Sequence, residues 1–253
     1  PTAVRPYLLA DVQEAIRDYF DTIRPQPAPL YDRLVQRHIR EGDVVITFNY
    51  DLGVERSLRS AGLWRITDGY GFFIDHYDGK SPVKILKLHG STNWRGLLFG
   101  GSTGFSGANN SIGTRPVLFF RPDLEYLGYS EFTDPHCAGL SQAASISSMI
   151  MPALPKLFYF ETSFGREWKS FWDRLWHSAE KALQATNDVI IIGYSLPIAD
   201  ERARKLLLHS SNKNANLTIC CGSATSSIEE QFLKEGFSRI HRVLQPTFEG
   251  LLA

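Results

Sequence analysis

The sequence of 253 residues has no net charge, no long apolar run and few cysteines, and each shortage excludes a class of protein. Because 27 basic residues balance 27 acidic ones, the positive excess that a nucleic-acid backbone attracts is absent, and we expect no direct nucleic-acid binding. The longest apolar runs, such as residues 189–192, fall far short of the roughly 20 residues that span a membrane. The first residues also lack the apolar core of a secretory signal. The sequence therefore predicts a cytoplasmic protein without a membrane partner.

Cysteine is too rare for a disulfide framework or a four-cysteine zinc site. The chain has three cysteines, Cys137, Cys220 and Cys221, and none of them belongs to a Cys-x-x-Cys pair. Cys220 and Cys221 fall inside a predicted strand, where thiols pack like small apolar side chains. We therefore expect no metal site.

Hydrophobic patterning predicts a parallel sheet surrounded by helices. Short apolar runs bounded by turn residues indicate buried strands, and residues 44–48 are typical of a strand buried on both faces. In the last third of the chain, strands alternate with helical periodicity, which is the βαβ arrangement of a parallel sheet. The predicted strands are residues 44–48, 83–88, 188–192 and 217–221, and the predicted helices are residues 11–23, 30–39, 53–59, 165–185, 199–209 and 228–235.

A loop-rich segment interrupts this pattern. Residues 100–113 hold five glycines and three serines, and between them and residue 150 only residues 117–120 indicate a strand. We therefore expect residues 1–90 and 151–253 to form one α/β domain. Residues 91–150 form an inserted, loop-rich subdomain without zinc in this interpretation.

Polar residues follow four of the predicted strands. Ligands of parallel α/β proteins bind outside the carboxyl ends of the strands, so these residues are candidate binding and catalytic groups. They are Asn49 and Asp51 after the first strand, His89 after the second, Gly193 and Ser195 after the third, and Gly222 and Ser223 after the fourth.

Each of these groups also has a simpler interpretation. Asn49 and Asp51 could form an Asx turn that caps the next helix, and His89 could be a turn residue with one backbone hydrogen bond. Residues 193–195 could be a tight strand-to-helix turn. They do not form the nucleophile elbow of a serine hydrolase, because Pro197 stands where that motif has glycine.

Three segments, in this order, resemble the sirtuin-like (silent-information-regulator-like) domain family. They are Thr47-Phe48-Asn49-Tyr50-Asp51, Leu88-His89-Gly90 and Gly193-Tyr194-Ser195-Leu196. Their spelling is most similar to the bacterial branch of the family that is associated with antiphage defence. The resemblance spans about residues 30–225 and implies a Rossmann-like parallel sheet with helices on both faces.

The resemblance implies an NAD+ glycohydrolase, which cleaves the nicotinamide–ribose bond of NAD, its substrate. Cleavage builds positive charge on the ribose, and a preorganised polar site stabilises that charge. By the same resemblance, Asn49 would orient the ribose and a water, Asp51 would contact the nicotinamide carboxamide, and His89 would act as general base. The residues implied to line the NAD site are Thr47, Phe48, Gly193, Ser195, Gly222 and Ser223.

The chain departs from the family in two places. The zinc ribbon of protein-deacylating sirtuins is missing, since its stretch holds only Cys137, and this favours hydrolysis by water. The first strand and its glycine turn, which wraps the NAD diphosphate, are missing because residues 1–41 contain no glycine. We expect a fragment whose first strand lies upstream; the alternative is a catalytically inactive sirtuin-like module that binds a nucleotide or a protein. A homo-oligomer and additional domains on either side both stay open.

Overall fold

The computed structural model describes residues 29–65, 69–70, 81–100, 112–119, 145–149 and 165–252, and four single residues between 12 and 19. Along residues 93–100, 112–119, 145–149 and 165–171 it describes the backbone without the side chains. Most of the predicted helix 11–23, most of the glycine-rich segment 100–113 and Cys137 lie outside the described residues.

The first described elements form a small parallel sheet with two helices. Helix α1 spans Pro29–His38, strand β1 Val44–Thr47, helix α2 Gly53–Ser60 and strand β2 Lys84–Lys87. Strands β1 and β2 run parallel, with Val44 opposite Lys84, so the predicted strands and their direction are confirmed. The expectation that the first strand is buried on both faces is wrong, because Val44 is 37% exposed and β2 is the one strand paired with β1 in the described part.

An antiparallel sheet follows directly after the second strand. Strand β3 spans Gly90–Gly100, β4 Ile112–Phe119 and β5 Ser145–Met149, in the order β4-β3-β5. The sequence indicates only part of β4, so the described part of the inserted segment holds more strand than the predicted loop-rich subdomain. Strand β3 contains three glycines, which are unfavourable in isolated strands, and its pairing on both sides overrides that local preference.

The last part of the chain forms a second small parallel sheet. Its strands are β6 Asp188–Ile192, β7 Asn216–Cys220 and β8 Ile240–His241, all parallel and in that order. The helices are α3 Gly165–Ala185, α4 Glu201–Lys205, which continues into a π-helical turn at Leu206–Ser210, α5 Thr225–Lys234 and α6 Phe248–Leu251. A 3-10 turn at Gly222–Ala224 joins β7 to α5. The predicted bounds of α3 and β6 are confirmed at both ends.

One hydrophobic cluster joins the two parallel sheets. It contains Ile85 and Leu88 from the β2 region, Trp172 and Trp176 from α3, and Ile191 from β6, all of them buried. Among the aromatic residues of α3, Trp172 and Trp176 are therefore core, while the side chains of Trp168 and Phe171 lie outside the described residues. The fold is a mixed α/β arrangement with small parallel sheets and helices. Among the described helices, none is both long and apolar enough to cross a membrane.

Candidate functional site

The residues that follow β1, β2 and β6, which belong to two separate parallel sheets, meet at one place. Phe48 follows β1, His89 follows β2, and Tyr194 comes two residues after β6. The ring of Phe48 stacks on Tyr194 with the centroids 4.3 Å apart and lies 5.1 Å from the His89 ring. The ends of β1, β2 and β6 therefore converge, as expected when parallel strands deliver their carboxyl ends to one side.

His89 pairs with an acidic residue at this place. Its Nε2 atom lies 3.0 Å from Oδ2 of Asp200, and the two residues are 4% and 2% exposed. The Tyr194 hydroxyl donates a hydrogen bond of 2.9 Å to the same Oδ2 atom. The ring of Trp176 lies 6.3 Å from both Phe48 and His89. We call these five residues, Phe48, His89, Trp176, Tyr194 and Asp200, the histidine cluster.

The loop after β6 places Asp200 in the cluster. Gly193 and Leu196 have φ values of +65° and +51°, so the chain turns sharply through backbone conformations that are costly for Leu196. The Leu196 carbonyl accepts a 2.7 Å hydrogen bond from Arg204, and the Asp200 amide donates to the Pro197 carbonyl at 3.0 Å. These contacts hold the loop against α4 and direct Asp200 toward His89.

The surroundings of the cluster favour protonated hydroxyl and thiol groups. Burial, together with the hydrogen bond to Asp200, raises the pKa of the Tyr194 phenol. Burial also raises the pKa of the Cys221 thiol, which donates to the Tyr194 carbonyl over 3.4 Å. A thiol that stays protonated is a poor nucleophile, so Cys221 is a weak candidate for a catalytic nucleophile.

Asn49 and Asp51 make local contacts next to the cluster. Oδ1 of Asp51 accepts a 2.8 Å hydrogen bond from the Gly53 amide, so the Asx turn at the start of α2 is confirmed for Asp51. The amide of Asn49 donates to Oγ1 of Thr47 at 3.1 Å. Burial and the nearby charges of Asp51 and Glu55 raise the pKa of the Tyr31 phenol to about 12, and the neighbouring, exposed Asn49 side chain opposes this rise.

A buried ion pair supports the loop that carries Asn49 and Asp51. Nζ of Lys87 lies 2.8 Å from Oε1 of Glu55, and both side chains are fully buried. Lys87 also donates to the Asp51 carbonyl, and the Tyr70 hydroxyl donates to Oε1 of Glu55 at 3.2 Å. The other carboxylate oxygen, Oε2, has no hydrogen-bond partner among the described residues. Lys87 thereby ties β2 to the segment between β1 and α2.

Gly222 and Ser223 lie on a groove at the end of β7. The groove has a volume of about 520 Å³, and Arg242, Leu244 and Pro246 form its other side. Gly222 has a φ of +59° and donates to the Pro246 carbonyl at 2.6 Å. Gly193 and Ser195 are exposed at the end of β6. The structure thus brings His89 and Phe48 together and places the remaining candidate residues on neighbouring strand ends.

The sequence reasoning missed the partners of His89. Asp200 falls in the first turn of the predicted helix 199–209, where an acidic residue is ordinary because its charge interacts favourably with the helix N-terminus, and Trp176 lies on a helix face that predicts core. Tyr194 stands inside one of the motif segments but was given no role. One sequence signal could have found Tyr194 and Asp200. Both follow the third predicted strand, residues 188–192, and residues after the carboxyl ends of strands are candidates for the site.

Metal binding and known relatives give no further guide to the site. In the described part of the chain, no group of three or more histidine, cysteine or acidic side chains is arranged to hold a metal ion. Comparison with models of protein families and with curated proteins finds no match for the chain. The geometry of the histidine cluster and the residues around it must therefore carry the assignment of function.

Proposed function

We propose that the chain is a sirtuin-like NAD+ hydrolase, of the bacterial antiphage-defence branch, that releases nicotinamide and ADP-ribose. The observation that carries this proposal is the buried His89–Asp200 pair at the carboxyl ends of strands from the two parallel sheets, because the carboxyl ends of parallel strands are where α/β proteins bind ligands. The same proposal includes a Rossmann-like architecture, in which the two small parallel sheets belong to one doubly wound sheet. The three family-like segments of the sequence, one of which contains His89, also support it.

Each candidate residue has a chemical task in this reaction. A water adds to C1′ of the ribose, the bond from C1′ to the nicotinamide nitrogen breaks, and its electron pair leaves with neutral nicotinamide. His89 accepts the proton of the water as general base, a contribution of about 10²- to 10⁴-fold in rate. Asn49 orients the ribose and the water through its side-chain amide.

Asp51 and the glycine-containing turns hold the two ends of NAD in this proposal. A carboxylate accepts about four hydrogen bonds, so Asp51 can contact the nicotinamide carboxamide while it caps α2. Thr47 and Phe48 border the ribose from the end of β1. Gly193 and Ser195 approach the diphosphate, and Gly222 and Ser223 approach the adenosine, where the groove beside β7 offers room.

Nicotinamide release from NAD tests the proposal. The full chain is incubated with NAD, and free nicotinamide is followed by liquid chromatography beside His89→Ala and His209→Ala. His209 is the matched control because it lies on the surface, paired with Glu235 at 3.1 Å. We expect release by the wild-type chain and by His209→Ala, and its loss in His89→Ala. Wild-type release no greater than that of His89→Ala would overturn the hydrolase assignment.

A catalytically inactive sirtuin-like module is the second candidate. The local roles of two candidate residues favour it, because Asp51 caps α2 and Asn49 contacts Tyr31. Such a module would bind a nucleotide or a protein without turnover. Calorimetric titration with NAD and with ADP-ribose separates the two candidates: binding without nicotinamide release supports the module, and release excludes it.

A further inference from the structure

The Asp200 carboxylate is used by side chains rather than by the helix that it precedes. Asp200 stands at the N-cap position of α4, yet its side chain makes no capping hydrogen bond there. Instead, Oδ2 lies within hydrogen-bonding distance of both His89 and Tyr194. A capping role, which is the usual reason for an aspartate at this position, therefore does not account for this residue.

The hydrogen bond to Asp200 determines where the His89 proton lies. An ionised carboxylate only accepts hydrogen bonds, and two donors on one oxygen stabilise the ionised form of Asp200. Nε2 of His89 must therefore carry a hydrogen. A neutral imidazole with its proton on Nε2 has its lone pair on Nδ1.

We propose that Asp200 is the positioning residue of the site, holding His89 as the Nε2–H tautomer so that Nδ1 serves as the base. In its catalytic consequence this inference rests on the proposed NAD hydrolysis. Asp200 reaches His89 through the hydrogen bond and does not itself contact the reacting atoms. It also stabilises the positive charge that His89 acquires when Nδ1 accepts a proton.

The packing around His89 restricts the ring to this orientation. Phe48 and Trp176 both lie beside the imidazole, at 5.1 and 6.3 Å between ring centroids. Trp176 is itself held by Arg202, whose guanidinium lies 4.5 Å from the indole centroid. Because the Tyr194 hydroxyl bonds to the same carboxylate oxygen, the pair joins the end of β2 to the loop after β6 and to the start of α4.

A nuclear magnetic resonance measurement tests the tautomer without any substrate. Protein labelled with ¹⁵N at histidine is recorded in a long-range ¹H–¹⁵N correlation spectrum, and the His89 signals are assigned by their loss in His89→Ala. We expect the wild-type chain to show the Nε2–H tautomer. In Asp200→Asn we expect a substantial fraction of Nδ1–H, because the amide group can donate to Nε2. Tyr194→Phe is the matched control, since it removes a donor to Asp200 and leaves the carboxylate, and its His89 tautomer should stay as in wild type.

Kinetics test the catalytic consequence in the same three variants. We expect Asp200→Asn to lower kcat for nicotinamide release by about 10²- to 10⁴-fold, with KM changed less than threefold, because general-base assistance acts in the transition state. A wild-type Nδ1–H tautomer would overturn the inference even if Asp200→Asn failed to fold. An unchanged kcat in a folded Asp200→Asn variant would overturn it too, while the hydrolase assignment would stand. A wild-type chain that shows the Nε2–H tautomer but releases no nicotinamide would instead refute the hydrolase assignment and leave the positioning of His89 supported.

Discussion

The buried pair Lys87–Glu55 makes a quantitative prediction about stability. With 2.8 Å between Nζ and Oε1, the Coulomb attraction is about 6 kcal/mol at an effective dielectric constant of about 20. Removing two charges from water costs several kcal/mol for each ion, so the net contribution of such a pair is small. Removal of one partner is different, because the remaining charge stays buried without compensation. We expect Lys87→Met to lower the free energy of unfolding by about 3–5 kcal/mol.

A double-mutant cycle separates this charge effect from lost packing. Glu55→Gln keeps an oxygen that accepts from Tyr70 and removes the charge, so the double variant Lys87→Met, Glu55→Gln buries no uncompensated ion. Its loss of stability should therefore be smaller than the sum of the two single losses by about 2 kcal/mol or more, within the range measured for residues in contact.

Urea unfolding followed by tryptophan fluorescence measures each free energy, with an unchanged m value as evidence that unfolding exposes the same surface. The matched control is Lys205→Met, because Lys205 pairs with Glu201 at 2.6 Å on the surface and exposed pairs contribute little. The reasoning is refuted if Lys87→Met costs no more than Lys205→Met, or if the single losses simply add in the double variant.

Two further predictions concern Tyr31 of α1, which lies near Asp51, and Asp51 itself. Because burial raises the pKa of Tyr31 to about 12 from 10.0, its folded form keeps the proton at pH values where the unfolded chain loses it. Tyr31 therefore contributes stability that is complete below pH 10 and is lost between pH 10 and about 12. Absorbance titration of the wild type and of Tyr31→Phe should show one tyrosine that ionises late in the wild type only. A Tyr31 pKa near 10 would contradict this prediction. Asp51→Ala should lower the free energy of unfolding by about 1–3 kcal/mol, because the buried Gly53 amide loses its acceptor. Asp51→Asn keeps an oxygen that can accept from this amide, so most of the wild-type stability should remain when both variants are unfolded in urea. Equal losses of stability in the two variants would contradict the role of Asp51 as a cap.

Local patterning was sufficient for four of the five strands of the parallel sheets; the two-residue strand β8 at Ile240–His241 was not predicted. The bounds of α3 and β6 follow from an apolar stripe at helical spacing and from a short apolar run, and both signals are local. Strand β3 could not be found this way, because glycine and polar residues in its sequence indicate a loop and its stability comes from pairing with β4 and β5. Pairing partners far apart in the chain leave no trace in a single local window.

The candidate site was predictable where chemistry and position coincide. His89 was identified because an imidazole directly follows a strand, and its meeting with Phe48 agrees with the expected convergence of strand ends. Asp200 was missed because an aspartate in the first turn of a predicted helix has an ordinary explanation, the favourable interaction of its charge with the helix N-terminus. Only the three-dimensional arrangement shows that its carboxylate bonds to His89 and Tyr194 rather than to the backbone of α4.

The π-helical turn at Leu206–Ser210 limits how this region can vary in length. A π turn holds about one residue more than an α-helical turn, and Leu206, Leu207 and Leu208 are buried in succession, a wider buried surface than the single apolar stripe of an amphipathic surface helix. Deleting one residue there would rotate Glu201–Lys205 by about 100° relative to the chain that follows Ser210. The extra residue thus changes the direction in which the following side chains point. Asp200 at the start of the helix can therefore contact His89, while Leu206, Leu207 and Leu208 at its end pack in the hydrophobic core.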